Sequence, residues 1–411
     1  MAYPPRRPYA AGMFASRITL IAAMVVAGCS PDGDAGDRWG GTVDTLDNGA
    51  VVVSNPAAPL WGDTEGWVLR EDLRIGAVEG TGPEVFASVA ALAVDARGRV
   101  HVLDARASEV RVFGPDGQHV RTIGGPGAGP GELSRAIGLA FANSGALWVV
   151  DAGNARYSVF DTAGAYMTTH RRPLGFFRIP WPGGFLADDT FVDVGVGEGA
   201  DPRRPAELLV RYADTLEPLD TTHIPSLRTD PITLRRANGG PVMSFPDPYG
   251  PQLAWRFDAR GFLWTAVTDR YELVQRSLKG DTVRIIRRAA PAVAVTAAER
   301  ADALERISER VAEVGPGASL DRDPRIPDVK PVLVRFYVDA GGGLWVEPSR
   351  AAGERQRFDI FDADGRYLGR VSPEHEIQSN PMPVFTPDAV LAVVRDSLDV
   401  PYVVRLRIER N

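Results

Sequence analysis

The sequence predicts an all-β fold: a six-bladed β-propeller of four-stranded antiparallel blades, with one inserted α-helix near 297–313. Three observations carry that expectation. First, one turn pattern recurs, as Asp95-Ala96-Arg97-Gly98, Ala142-Asn143-Ser144-Gly145, Asp258-Ala259-Arg260-Gly261 and Asp339-Ala340-Gly341-Gly342, each followed by an apolar run that includes His101, Trp148, Trp264 or Trp345. Asp and Gly suit tight turns, through side-chain bonding to the local backbone and through tolerance of positive φ. Second, a strand of period two follows at a fixed distance, ending in Gly117, Gly164 and Gly365. Gly98 to Gly145 and Gly117 to Gly164 both span 47 residues. Two separate features with one period of 40–50 residues mark a propeller blade. Third, six such blades fit the 411-residue chain with room for two insertions, and seven do not.

In chain order, residues 1–17 carry Arg6, Arg7 and Arg17 and no acid, and Ile18 to Gly28 is an apolar run broken only by Thr19. This is the pattern of a secretory signal, and it is too short to span the ~30 Å of a bilayer core. Residues 1–28 are therefore expected to be a signal and 29–42 an acidic, flexible tether. The propeller is expected over 43–411. Asp44 to Val53, with a turn at Asp47-Asn48-Gly49, reads as a hairpin added to the last blade. Trp67 to Ile75 is expected to complete that blade and close the ring, removing an exposed sheet edge. The blades are expected around 90–122, 137–170, 175–220, 254–288, 333–371 and 384–408. One insertion is the Pro-rich stretch from His223 to Gly250. The other is the helix, for which Thr296-Ala297-Ala298-Glu299 forms a capping box, with Leu304, Ile307 and Val311 on one face.

Val26-Ala27-Gly28-Cys29 resembles the bacterial lipobox, and the chain's one cysteine occupies the lipidated position. The resemblance implies a lipoprotein anchored at Cys29, and Ser30 after it favours the outer membrane, on the periplasmic face or at the cell surface. Leu147 to Asp161, through Asp151, Asn154 and Arg156, resembles an NHL repeat, and Gly124 to Leu133 resembles the linker between NHL blades. The likeness extends over 85–165 and returns at 254–288 and 333–371. The first blade departs from it, since Asp104 to Glu109 lacks the Asn and Arg.

The net charge is −7, near −10 once the signal's arginines are removed, which argues against a nucleic-acid partner. A lone cysteine allows neither an internal disulfide nor a cysteine zinc site. The five histidines, His101, His119, His170, His223 and His375, show no metal-ligand spacing, and the glycine-rich Gly124 to Gly131 lacks the Lys-Ser/Thr of a phosphate-binding loop. No catalytic constellation, metal site or cofactor is expected. The arginine pairs 171–172, 203–204, 235–236 and 287–288 read as solvated faces or blade-edge ion pairs. Asp104, Asp151, Asn154, Arg156, Asp269 and Arg270 end the second strand of their blades, at the mouth of the ring, and are the candidate ligand-binding residues. They can equally fix the loops, as Asp and Asn do in turns.

Two readings of function follow. One is a membrane-anchored, monomeric binding or scaffold module for a protein, peptide or glycan. The alternative is a metal-dependent propeller enzyme, a lactonase-like hydrolase or a lyase, with its site in the central channel. A fold of this kind hosts both.

Overall fold

The computed structural model describes residues 39–62, 66–172, 178–201 and 204–410. The expected signal and Cys29 lie outside the described residues. Among the described residues, five four-stranded antiparallel sheets and the four-stranded antiparallel part of a six-stranded sheet form successive blades along the chain. Blade one is Val89–Val94, Val100–Asp104, Glu109–Phe113 and His119–Gly124, and blade two is Ala136–Phe141, Leu147–Asp151, Arg156–Phe160 and Tyr166–Arg171. Blade three is Gly184–Phe185, Phe191–Asp201, Arg204–Tyr212 and Pro218–His223; blade four is Leu253–Phe257, Phe262–Val267, Glu272–Ser277 and Thr282–Arg288. Blade five is Leu333–Val338, Leu344–Pro348, Phe358–Phe361 and Tyr367–Val371. In blade six, Val384–Phe385, Ala389–Arg395 and Pro401–Arg410 are completed by Trp67–Ile75, which pairs antiparallel with Pro401–Arg410.

The turns explain the repeat. Asp95 Oδ1 accepts from the backbone N–H of Arg97 and Arg99, and Asp258 and Asp339 do the same two and four residues on. Gly98 and Gly145 then take φ of 72° and 82°, where a side chain would be strained.

The core lies between blades rather than within one central mass. Val102 and Phe113 of blade one pack against Leu391, Val393 and Val403 of blade six. Leu103 and Val112 meet Leu139 and Val149 of blade two on the opposite face. Comparable clusters fill the interfaces of blades two and three, three and four, four and five, and five and six. Each interface thus holds an apolar cluster, and the ring closes. His101 and the tryptophans serve these interfaces. His101 meets Phe141 edge-on at 4.9 Å, Trp148 reaches Phe185 and Phe191 of blade three, and Trp345 reaches Phe385 of blade six.

Three expectations need correction. The hairpin Thr42–Thr45/Val51–Asn55 lies on blade four, not blade six: Val51–Asn55 runs parallel to the outer strand Thr282–Arg288. That edge offers free backbone groups, and docking buries Val52 and Val53. The outer strand of blade six instead carries Arg70, Glu71, Asp72 and Arg74, charges that discourage further pairing. The helix spans Ala297–Val314 with the capping box in place, but it buries Ala303 and Ile307 and leaves Leu304 exposed. Finally, Arg172 and Arg288 are not on solvated faces; they are buried and form the ion pairs that were the other half of the expectation, with Asp193 and Asp359.

Candidate functional site

In a four-stranded antiparallel blade, the turn between the second and third strands and the connection to the next blade emerge at the same end. This end is the mouth. Asp104 and Asp151 close the second strands of blades one and two there, and both are fully buried. Asp104 accepts from the N–H of Ala87 at 2.8 Å and Ser88 at 3.1 Å, and from Arg106 and Ala107. Asp151 accepts from the N–H of Ser134 at 2.7 Å, from Asn154 Nδ2 at 2.8 Å and from Arg156 Nε at 2.7 Å. Asn154 and Arg156 then reach the glycine-rich connection, donating to the carbonyls of Gly127, Ala128, Gly129 and Glu132. Asp151, Asn154 and Arg156 are thus brought together, while Asp104 stands in the equivalent place of blade one; in both blades these polar atoms fasten the loop to the preceding connection. Asp269 and Arg270 pair with each other at 3.2 Å on the exposed turn of blade four, apart from the rest.

Both insertions are connections between blades, so both rise on the mouth side. The stretch between blades three and four supplies the hairpin Ile232–Arg235/Pro241–Phe245, and the stretch between blades four and five supplies the helix and Ser319–Leu320, which pairs with that hairpin. Arg322 joins the two through Asp247 at 2.7 Å, and Arg310 lies over the Phe245 ring at 5.2 Å. Lys330 bonds Glu299 of the helix and, at 2.9 Å, the carbonyl of Arg350 in blade five. The result is a cap over blades four and five.

Two cavities open at the mouth. One, of about 510 Å³, is lined by Ser88, Arg106, Arg135, Ile137 and Ile179. The other, of about 500 Å³, lies by the cap and is lined by Tyr249, Glu299, Lys330, Arg335 and Arg350. Arg135 and Tyr249 have φ of 48° and 57°, the left-handed region that costs a non-glycine residue energy and that clusters at functional surfaces.

Beyond the rim, the inner strands carry charge. Arg256 and Arg335 sit on the innermost strands of blades four and five, and Arg178 precedes the inner strand of blade three. Arg178 is paired with Glu207, which also accepts from Trp255 Nε1 at 3.2 Å. Arg335 approaches Glu347 at 3.3 Å, and burial raises the carboxyl of Glu347 above its usual range. Arg256 meets the Tyr337 ring at 5.7 Å and has no acid partner among the described residues. Sequence reasoning passed over these residues. The available signal was an arginine inside otherwise apolar strands, in Leu253-Ala254-Trp255-Arg256-Phe257 and Leu333-Val334-Arg335-Phe336-Tyr337. Among the described residues no three His, Cys, Asp or Glu side chains gather as metal ligands, and no helix is long and apolar enough to cross a membrane.

The fold has solved counterparts. A protein described as exported from Bacteroides fragilis superposes with a TM-score of 0.50 at 10% identity, over 88% of this chain and 99% of that one. Virginiamycin B lyase from Staphylococcus aureus aligns with a TM-score of 0.39 at 11% identity, over 83% of this chain and 99% of the lyase. The β-propeller domain of Cps50 (Swd1) from Myceliophteria thermophila gives 0.38 at 11% identity, over 82% and 99%. At such identities the likeness concerns the fold. No protein-family model and no curated protein matches the sequence.

Proposed function

We propose that this chain is a lipid-anchored propeller of the NHL-repeat type, held in the cell envelope through Cys29, that works as a monomeric binding module. Its mouth takes part of a protein, peptide or glycan. The observation that carries this reading is how the mouth uses its charges. Asp104 and Asp151 each accept several bonds from their own loop and the connection before it, so they are occupied as structural acceptors. What remains open is shape and positive charge: two cavities of about 500 Å³ bordered by arginines, one of them flanked by the cap. Concave pockets of this size with a few placed polar groups are the usual form of a recognition site. The envelope assignment rests on the signal pattern and on the lipobox Val26 to Cys29. Two signals or several acyl chains hold a protein on a membrane far better than one chain does.

Two experiments test it. Mass spectrometry of the purified N-terminus is expected to find a diacylglycerol on Cys29, absent in Cys29→Ser; an unmodified Cys29 removes the anchor from the reading. Calorimetry against envelope peptides and glycan fragments is expected to find a ligand whose affinity falls at least tenfold in the Arg106→Ala/Arg135→Ala variant. Unchanged binding in that variant displaces the site from this cavity, and chemical turnover of the ligand overturns the non-catalytic reading.

A further inference from the structure

Among the described residues, Arg256 is a charge without a counter-charge. Its Nε is sealed from solvent and meets no acceptor, and the one hydrogen bond of its guanidinium is from Nη1 to the carbonyl of the adjacent Trp255, at 2.7 Å. The side chain keeps partial exposure because its strand, Leu253–Phe257, pairs on one side only and leaves its inner edge to the propeller axis. Around it the field is positive. Burial lowers the guanidinium's affinity for its proton; Tyr337 opposes this, and Arg178 and Arg335, each with a smaller effect, act in the same direction as burial. Arg178 is already matched by Glu207, and Glu347 is shared between Arg335 and Arg350, at 3.3 and 3.7 Å. Arg350 also pairs with Glu376 at 2.8 Å, although its Nη1 meets no hydrogen-bond acceptor. Arginine remains charged in proteins, and a buried charge is costly unless it is paired. A stability-driven sequence would place an apolar residue here, as in the rest of this strand. Arginine at such a place is understandable if an anion is to arrive, since its planar fork receives carboxylate and phosphate through two parallel bonds.

We propose that the central channel holds an oxyanion site, in which Arg256 and Arg335, beside Tyr337, receive the carboxylate or phosphate group of the ligand. Arg335 also lines the cavity under the cap, so a ligand seated at the mouth can send its anionic group down to Arg256. The proposal rests on the binding reading above and gives that ligand a chemical class. Oxyanion binding also replaces the missing counter-charge, so the site stabilises the ring when filled.

The test is thermal unfolding of the purified protein in inorganic phosphate and in acetate, each against chloride at matched ionic strength. Either oxyanion is expected to raise Tm by about 2 °C or more at saturating concentration. A rise with phosphate points to a phosphorylated ligand, and a rise with acetate alone points to a carboxylate. Arg256→Gln should abolish the rise and, without oxyanion, melt no lower than the wild type. Arg335→Gln should weaken it, and the exposed Arg70→Gln should keep it. No rise in the wild type, or an equal rise in Arg256→Gln, overturns the site. If Arg256→Gln does not fold, the wild-type rise and its loss in Arg335→Gln decide. A mouth ligand that binds Arg256→Gln as tightly as wild type refutes the oxyanion site alone. Failure to find any mouth ligand counts against the binding reading and leaves the phosphate and acetate measurements standing.

Discussion

Arg288 Nη1 lies 2.9 Å from Asp359 Oδ2, across the interface between blades four and five, with both side chains almost wholly buried. Tyr271 donates its hydroxyl to the same carboxylate at 2.7 Å, and Arg288 lies over the Tyr367 ring at 4.0 Å. Burial, and then the negative Asp359, hold the Tyr271 phenol well above its usual range, so it remains a donor. Blades two and three repeat the device: Arg172 Nε donates to Asp193 at 2.8 Å and Tyr157 donates to Asp193 at 2.5 Å. These are locks between blades. Asp359→Ala leaves a buried guanidinium without its acid and should cost about 3–5 kcal/mol in denaturant unfolding. The double variant Asp359→Ala/Arg288→Met should recover part of that loss. Equal losses in the single and double variants would show that the pair does not act as a lock.

The interface of blades one and two should be acid-sensitive. Burial pushes the His101 imidazole down to about 4, from an ordinary 6.5. The folded state therefore prefers neutral His101, and the unfolded chain protonates first as pH falls. The stability tied to His101 is complete above pH 6.5 and is lost as pH falls towards 4. The loss by pH 4 is roughly 3 kcal/mol. Unfolding free energies measured from pH 7 to 4.5 should fall less steeply in His101→Phe than in the wild type. Parallel curves would show that His101 is not the sensor.

Thr296 begins the cap helix. Its hydroxyl accepts from the Glu299 N–H at 3.2 Å, and Glu299 accepts from the Thr296 N–H at 3.0 Å while also holding Lys330. Thr296→Ala should cost the helix about 1 kcal/mol. Amide exchange over Ala297–Val314 should quicken about fivefold with the blades unchanged. Equal acceleration in the blades would mean that the cap does not open on its own.

Asn55 ties the N-terminal hairpin to the ring. Its Nδ2 donates to the Gly365 carbonyl at 2.9 Å, and its Oδ1 accepts from the Tyr367 N–H at 2.6 Å, both buried and in blade five. Asn55→Ala leaves two buried backbone groups without partners, a loss of roughly 2–4 kcal/mol. Limited proteolysis should then cut within 39–62 well before the blades. A wild-type cleavage pattern would show that strand pairing alone holds the hairpin.

What could be read from the sequence was what is local in the chain. Asp95, Asp258 and Asp339 bond to backbone groups two and four residues away, so their turns appear as short words with a fixed spacing. Trp148 and Trp345 mark blade interfaces because they sit in the strand after such a turn. Long-range partners leave no such trace. Arg288 finds its acid 71 residues away and Arg172 finds its acid 21 residues away, so the dipeptide of arginines could not be told between a solvated face and an ion pair. Val51–Asn55 pairs in parallel with a strand more than two hundred residues later, and nothing in its own pattern selects that edge over another. Leu304 falls on the apolar stripe of the helix, but periodicity gives a face and not how far the neighbour covers it. The mouth was legible as a place, through Asp104 and Asp151. The channel arginines were not, because only the packing of blades three, four and five side by side brings Arg178, Arg256 and Arg335 together.

If the protein itself occupies the Asp104 and Asp151 carboxylates, the proposed binding at the mouth needs no catalytic metal. The decisive measurement is metal analysis of the purified protein, with calorimetric titration of Ca²⁺ and Zn²⁺. No stoichiometric metal, no binding heat and an unchanged Tm are expected. One equivalent of tightly held metal that raises Tm, and that is lost in Asp104→Asn or Asp151→Asn, would contradict this reading and favour a metal-dependent propeller enzyme.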